Sequence, residues 1–195
     1  MLRSLTLDSL MPYFGVVLLI IAGSFFFPQV LSVDYLTQQL QIAAFLGLLA
    51  TGATIVILLG HIDLSVPWVL TGAAILSTAL VGTGNPVLSA LAVPAALAFG
   101  ALIGVINAAG VAILRIPSMV WTLAVNSMLL GLAVLNTGGF NPRGESSELM
   151  ITMASGDLFE LPVSFLIWIA VSLALTWLLT RTPFGRYLRS ICHIE

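Results

Sequence analysis

Residues 40–82 read LQIAAFLGLLATGATIVILLGHIDLSVPWVLTGAAILSTALVG, two long apolar runs parted by Gly60-His61-Ile62-Asp63-Leu64-Ser65-Val66-Pro67. A helix needs about 20 apolar residues to cross the hydrocarbon of a bilayer, each adding ~1.5 Å through ~30 Å. Both runs are close to that length, and the segment between them has almost no hydrophilic loop. It joins a helix breaker, an imidazole, a carboxylate and a hydroxyl. If the runs are full spans, the segment is a tight turn at the membrane surface. If they are tilted or half-crossing, Asp63 lies at membrane depth, where a carboxylate has to face protein or a water-filled cavity.

The same reading extends along the chain. The 195 residues are 59% hydrophobic and 7% charged, against roughly 25% charged in an average soluble domain, so the polar shell of a soluble globule is missing. Apolar segments of spanning length fall at about 12–31, 40–60, 66–82, 88–114, 118–136 and 161–180. They predict an all-α polytopic membrane protein, a single transmembrane domain over 1–195 with about six helices of a larger bundle. Arg3 ahead of the first run is compatible with a secretory signal, but the run ends in Phe25-Phe26-Phe27-Pro28 rather than in small residues, which favours an uncleaved span.

Breaker chemistry marks the connections: Gly82-Thr83-Gly84-Asn85-Pro86, Ile116-Pro117-Ser118, and a long polar stretch from Thr137 to Glu160. That stretch holds Glu145, Glu148, Asp157 and Glu160 beside a single Arg143. By the positive-inside tendency it is a periplasmic loop, and six alternating spans then place Arg3, Arg115, Arg181, Arg186 and Arg189 in the cytoplasm with the N-terminus. There is no lysine, and a net charge of −2 gives no reason to expect a nucleic-acid partner. A lone cysteine, Cys192, excludes an intrachain disulfide and a cysteine-based metal cluster. No GxSxG, HExxH, Walker A or dinucleotide pattern occurs, so neither catalysis nor a metal or organic cofactor is expected of this chain.

The residues that could touch a small polar solute are few. Asp63 and Ser65 either line a solute path at a broken helix or, more plainly, Asp63 caps the third span. Asn107, Thr122 and Asn126 lie within spans, where each could meet a hydroxylated solute or make an ordinary interhelical hydrogen bond. His61 has no second ionisable group in the neighbouring spans with which to relay a proton, which favours a structural or surface role. Ala96, Gly100, Gly104 and Ala108 form a small-residue face suited to close helix packing, inside the subunit or between subunits.

Several stretches together resemble the permease subunits of ribose-type and related monosaccharide ABC importers. Thr51-Gly52-Ala53-Thr54-Ile55-Val56-Ile57 running into Gly60-His61-Ile62-Asp63-Leu64-Ser65-Val66 is similar to the GMTLVI…GGIDLSVG signature of that family. Gly104-Val105-Ile106-Asn107, Leu114-Arg115-Ile116-Pro117 and Val120-Trp121-Thr122-Leu123 resemble its next block, and Thr137-Gly138-Gly139 and Arg181-Thr182-Pro183-Phe184-Gly185-Arg186 match two more in order. The resemblance implies the transmembrane subunit of an ATP-driven importer in the bacterial inner membrane. Its implied partners are a second permease subunit, identical or not, a cytoplasmic ATP-binding subunit met near Gly185 and Arg186, and a periplasmic solute-binding protein.

The chain departs from that pattern at His61 and Pro67, where glycines are usual, at Ala124 for a glycine, and at Leu130 for an arginine. Members also continue past the TPFGR block, whereas Ile191–Glu195 no longer resembles them, which leads to the expectation of a truncated chain unable to drive uptake alone. Two other classes stay open. A secondary carrier or channel half would be expected to hold more ionisable residues in its spans, and a non-transporting membrane fragment would recruit no partner.

Overall fold

A computed structural model describes residues 7–139, 144–158, 161–183 and 185. Arg3, Arg143, Glu160, Arg186, Arg189 and Cys192 fall outside them, and with them part of the arginine count on which the orientation rests. Eight helices follow in order: α1 (Leu7–Phe26), α2 (Val33–Leu58), α3 (Val66–Val81), α4 (Pro86–Ala90), α5 (Ala92–Ala112), α6 (Ser118–Thr137), α7 (Glu148–Ser155) and α8 (Val163–Arg181). A single 3-10 turn (Pro28–Leu31) joins α1 to α2, and a two-residue hairpin, Asp157–Leu158 with Leu161–Pro162, joins α7 to α8.

Each predicted span holds one apolar helix, with ends set by local chemistry. The first helix stops at Phe26, short of the expected 31, because Pro28 opens the 3-10 turn and restricts the residue before it. The second begins at Val33, ahead of the expected 40. The Ser32 hydroxyl accepts the Tyr35 N–H (3.3 Å), and Asp34 in the first turn suits the positive end of the helix dipole. The fourth span is split at Leu91 into α4 and α5, with Asn85 capping α4 through the Val87 N–H (3.0 Å). The stretch 137–160, read as a loop, carries α7 and the hairpin.

Four helices, α2, α5, α6 and α8, are long and apolar enough to cross a membrane; α3 and the Tyr13–Phe26 part of α1 are shorter apolar helices. At most 22% of any crossing window is buried, and side chains such as Phe26, Leu97, Leu135 and Leu173 point outward. Such a surface suits lipid.

The helices pack as two units. α3 meets α5 and α6, and α2 meets α8, with α7 laid against α8. Gln41 on α2 donates to the Ala154 carbonyl of α7, and the Trp168 indole N–H on α8 donates to Thr51 on α2 (3.3 Å). Both α2 and α8 therefore start beside α7 and run the same way. α5 shares that start, since Val93 joins Met153 and Ser164 around a small apolar cavity of about 230 Å³. The molecule thus has an α7 end and an opposite end, where α2 gives way to α3 and α5 to α6.

Candidate functional site

At the opposite end from α7 the chain between α2 and α3 is not helical. Leu59 closes α2, Gly60 takes a left-handed φ of 76° that glycine adopts without strain, and 61–65 form neither helix nor strand, with Ser65 already back in the helical region at the start of α3. Backbone groups left unpaired by such a break have to be met by other parts of the protein. Here α6 meets two of them. The Ile62 N–H donates to the Ser118 hydroxyl (3.3 Å) and the Leu64 N–H to the Thr122 hydroxyl (3.0 Å), while Thr122 passes its own proton to the Ser118 carbonyl (2.8 Å).

Asp63 turns back on its own backbone. Its Oδ1 accepts the Ser65 N–H (2.8 Å) and the Ser65 hydroxyl (2.6 Å), and Asn107 on α5 donates to the Ser65 Oγ (2.8 Å) while lying 3.4 and 3.5 Å from the two carboxylate oxygens. The expectation that Asp63 caps the third span is corrected: the residue flanking α3 is Ser65, which makes no side-chain cap, and Asp63 instead closes a turn two residues long. Ser65, Thr122 and Asn107 are buried, Asp63 is half-buried, and Ile62 and Leu64 turn their side chains outward.

The depth of the cluster follows from helix geometry. Thr122 is the fifth residue of α6 and Asn107 lies five residues before the end of α5, so the clamped segment sits about 6–8 Å inside those helix ends at 1.5 Å per residue. α3 covers only 16 residues, about 24 Å on the same scale. The non-helical segment ahead of it joins α3 to α2.

Two acceptors in this unit have no partner among the described residues: Asn107 Oδ1 and Asn126 Oδ1, both buried. Asn126 stands one turn beyond Thr122 on α6 and is not bonded to Asp63, Ser65 or Asn107. Above the polar cluster Ile103, Val125 and Leu129 form an apolar layer, packed by Trp68, Val69, Phe99 and Trp121. Beyond that layer, toward the α7 end, α3 and α6 part to leave a cleft of about 700 Å³. Along one three-helix unit the order is therefore polar cluster, apolar layer, cleft.

The remaining residues singled out in the sequence have structural places. Pro117 is the extended residue at the start of α6, and Arg115 before it holds a left-handed φ of 54° in the turn from α5, where the Ile116 N–H reaches back to the Gly110 carbonyl (3.3 Å). Gly100 and Gly104 were expected to seat a neighbouring helix; a Cβ at either would meet nothing within 4 Å, so among the described residues that face is unpartnered. The close contact of α5 with α6 is elsewhere. The Trp121 ring lies on Gly110, leaving no room for a side chain there, and its indole N–H donates to the Ile106 carbonyl (3.2 Å). Ser118, Trp121 and Gly110 were given no site role from the sequence, although Ser118 and Thr122, four apart, mark one helix face.

A sequence model of the family described as branched-chain amino acid transport system, permease component, matches residues 35–193. The chain belongs to this family. Among curated relatives, the autoinducer 2 import system permease protein LsrC of Shigella flexneri is 38% identical over 174 residues, covering 88% of this chain and 49% of its own length. The protein of the same name in Escherichia coli strain K12 / DH10B shows the same identity and coverage. The ribose import permease protein RbsC of Haemophilus influenzae is 29% identical over 184 residues, covering 92% of this chain and 56% of its own length. The chain spans about half the length of the curated relatives it matches. No solved structure matches it. Family and apolar helices together make this a multi-pass inner-membrane protein and a permease component, in agreement with the family resemblance and the all-α membrane fold expected from the sequence.

Proposed function

We propose that this chain forms part of the membrane-spanning subunit of an ATP-driven importer that moves a monosaccharide or similar small polar solute. The observation that carries the reading is the break between α2 and α3, clamped by Ser118 and Thr122 and turned by Asp63 about one helical turn inside the helix ends. Backbone without helix is tolerated at that depth where protein or a water-filled path surrounds it, and transporters place their solute stations at such breaks. Asp63, Ser65, Asn107 and Thr122 form the station. The unpaired Asn107 and Asn126 carbonyl oxygens are acceptors that solute hydroxyls can satisfy. The relatives named for ribose and autoinducer 2 import support the solute class.

The α7 end carries Glu145, Glu148 and Asp157, and the other end Arg115 and Arg181. This distribution supports a cytoplasmic N-terminus with the polar cluster facing the cytoplasm. An ATP-binding subunit then docks at the end holding Arg115, Arg181 and Gly185, and a periplasmic solute-binding protein at the α7 end. A second permease subunit completes the pathway, and ATP hydrolysis belongs to the separate ATP-binding subunit.

The test is a chimera in which this chain replaces the matching stretch of the Haemophilus ribose permease, reconstituted with that importer's ATP-binding and ribose-binding subunits. ATP-dependent accumulation of labelled ribose is expected, and loss of it in the Asp63→Asn version at unchanged membrane level. Accumulation driven by a proton or sodium gradient without nucleotide would make the chain part of a secondary carrier. A chimera that reaches the membrane and accumulates nothing returns the chain to a non-transporting fragment.

A further inference from the structure

The cleft at the α7 end of α3, α5 and α6 lies outside the polar cluster and above the apolar layer of Ile103, Val125 and Leu129. Its volume of about 700 Å³ falls within the roughly 300–1,000 Å³ of small-molecule sites. One aromatic ring, Phe99, reaches it from α5. That ring comes close to α3 because residue 72 is glycine: a Cβ there would stand 2.9 Å from two of the ring carbons. Around the ring the lining is mainly aliphatic, with Thr78, Asn136 and Thr137 as the polar side chains.

Those three share one property. Thr78 donates its hydroxyl proton to the Ala74 carbonyl (2.9 Å), Thr137 to the Ala133 carbonyl (2.9 Å), and Asn136 donates an amide proton to the Leu132 carbonyl (2.8 Å). With these donors turned back onto their own helices, the capacity they keep is mostly as acceptors. Among the described residues, no charged side chain lines the cleft. Both α3 and α6 end beside it, at Val81 and Thr137, and the carbonyl ends of helices disfavour a carboxylate. An amino-acid zwitterion would find no partner for its negative group among the described lining residues. A neutral ring compound bearing several hydroxyls would place an apolar face on Phe99 and donate from its rim.

From this geometry we propose that the cleft is a binding site for a neutral, hydroxyl-rich ring solute, with Phe99 as its floor and Thr78, Asn136 and Thr137 as acceptors. The inference rests on the transport reading above and adds the place where solute is first held, one apolar layer away from the Asp63 station. It separates a sugar-like solute from the branched-chain amino acids named in the family description.

The experiment uses the full chain in membrane vesicles with Cys192→Ser, so that thiols added singly as Ala79→Cys and Leu132→Cys, which line the cleft without being among its acceptors, are the only ones present. A membrane-impermeant maleimide is applied from the α7 side, with D-ribose, D-glucose, D-galactose or L-leucine as competitor. Leu135→Cys, beside Asn136 but 80% exposed on the outward face, is the lipid-facing control and is expected to stay unlabelled. At least one sugar is expected to slow labelling at both cleft positions by the factor 1 + [L]/Kd, about fourfold at about three times its Kd. Phe99→Ala should abolish that protection, and leucine should give none. The proposal is overturned if no sugar protects, if leucine protects equally, or if protection survives Phe99→Ala. Absence of protection in a protein whose chimera still imports ribose would remove the cleft alone, whereas protection without ATP-dependent uptake would leave the cleft and remove the importer.

Discussion

Where α3, α5 and α6 meet, a stretch of unwound backbone is held by two hydroxyls of α6, and the Asn107 amide of α5 donates to the Ser65 hydroxyl oxygen beside it. Where α2 and α8 meet, both helices run unbroken, and the contact is a tryptophan ring laid on Gly47 with one indole hydrogen bond to Thr51. The difference is one of dependence. The α2–α8 contact is surface fitted to surface, so each lost atom costs its own packing. In the α3–α5–α6 unit, removing one hydroxyl strands a backbone donor that helix formation cannot satisfy, and the penalty includes the desolvation of that donor. Helix breaks of this kind suit a part that has to rearrange, because few bonds define them, while α2 and α8, both unbroken, form the more rigid pair.

The largest expected effect tests whether the first unit depends on one close contact. Trp121 covers Gly110 and sits next to Thr122 in sequence, so Gly110→Val forces the ring away and displaces the clamp with it. Overpacking of this kind costs about 1–3 kcal/mol, occasionally more. Most of the properly folded protein should disappear from the membrane, read by fluorescence-detected size-exclusion chromatography. Gly104→Val on the same helix, with nothing within 4 Å, should leave the elution profile unchanged. Equal losses would show that α5 tolerates no bulk anywhere and would erase the distinction.

Asp63 is next. Asp63→Ala removes the acceptor of the Ser65 N–H and hydroxyl and leaves Asn107 with fewer partners, a loss of about 1–3 kcal/mol for groups stranded from water. Asp63→Asn keeps a carbonyl oxygen in that place and should retain most of the thermal stability in detergent. If the two variants melt alike, the turn at 63–65 does not hold the break. Ribose uptake by the chimera, lost in Asp63→Asn at normal protein level, would sharpen the comparison by assigning the charge to transport.

Thr122→Val follows, since it conserves shape and deletes the oxygen that receives the Leu64 N–H. The expected destabilisation is about 1–2 kcal/mol, in the range for a stranded buried donor, and Ser118→Ala should cost less because its bond to Ile62 is longer and exposed. The measurement is the melting temperature of each variant in the same detergent.

Much of this architecture was open to reading from the residues. Six apolar runs of near-spanning length give six apolar helices because lipid demands continuous apolar sequence, and Gly60 with Pro67 marks the break in any structure. Asp63, Ser65, Asn107 and Thr122, named separately from the sequence, come together in one hydrogen-bonded cluster, whereas Asn126 stays apart. What spacing could not give is which helix faces which. Gly100 and Gly104 have the pattern of a contact and no partner here, while Gly110 and Gly47, with no pattern at all, lie under tryptophans. The cleft was hidden for the same reason: Thr78 and Asn136 are ordinary span residues until α3 and α6 stand side by side. α7 was missed because eight residues in a polar stretch carry too short a period to separate from loop.

The smallest effect decides whether the two units differ in kind. Thr51 donates to the Gly47 carbonyl (2.6 Å) and accepts the Trp168 indole N–H (3.3 Å). Thr51→Val removes both bonds while keeping the shape that the ring packs against. The Gly47 carbonyl remains in the helix ladder of α2, and the half-buried indole N–H is the only group left short of a partner. Interhelical hydrogen bonds of this sort average about 0.6 kcal/mol in a membrane, so the melting temperature should move only slightly, and by less than in Thr122→Val. Gly47→Val, which drives a side chain into the Trp168 ring, should by contrast separate α2 from α8. A Thr51→Val loss as large as that of Thr122→Val would mean that the tryptophan contact also hangs on a single polar bond, and the rigidity assigned to α2 and α8 would have to be given up.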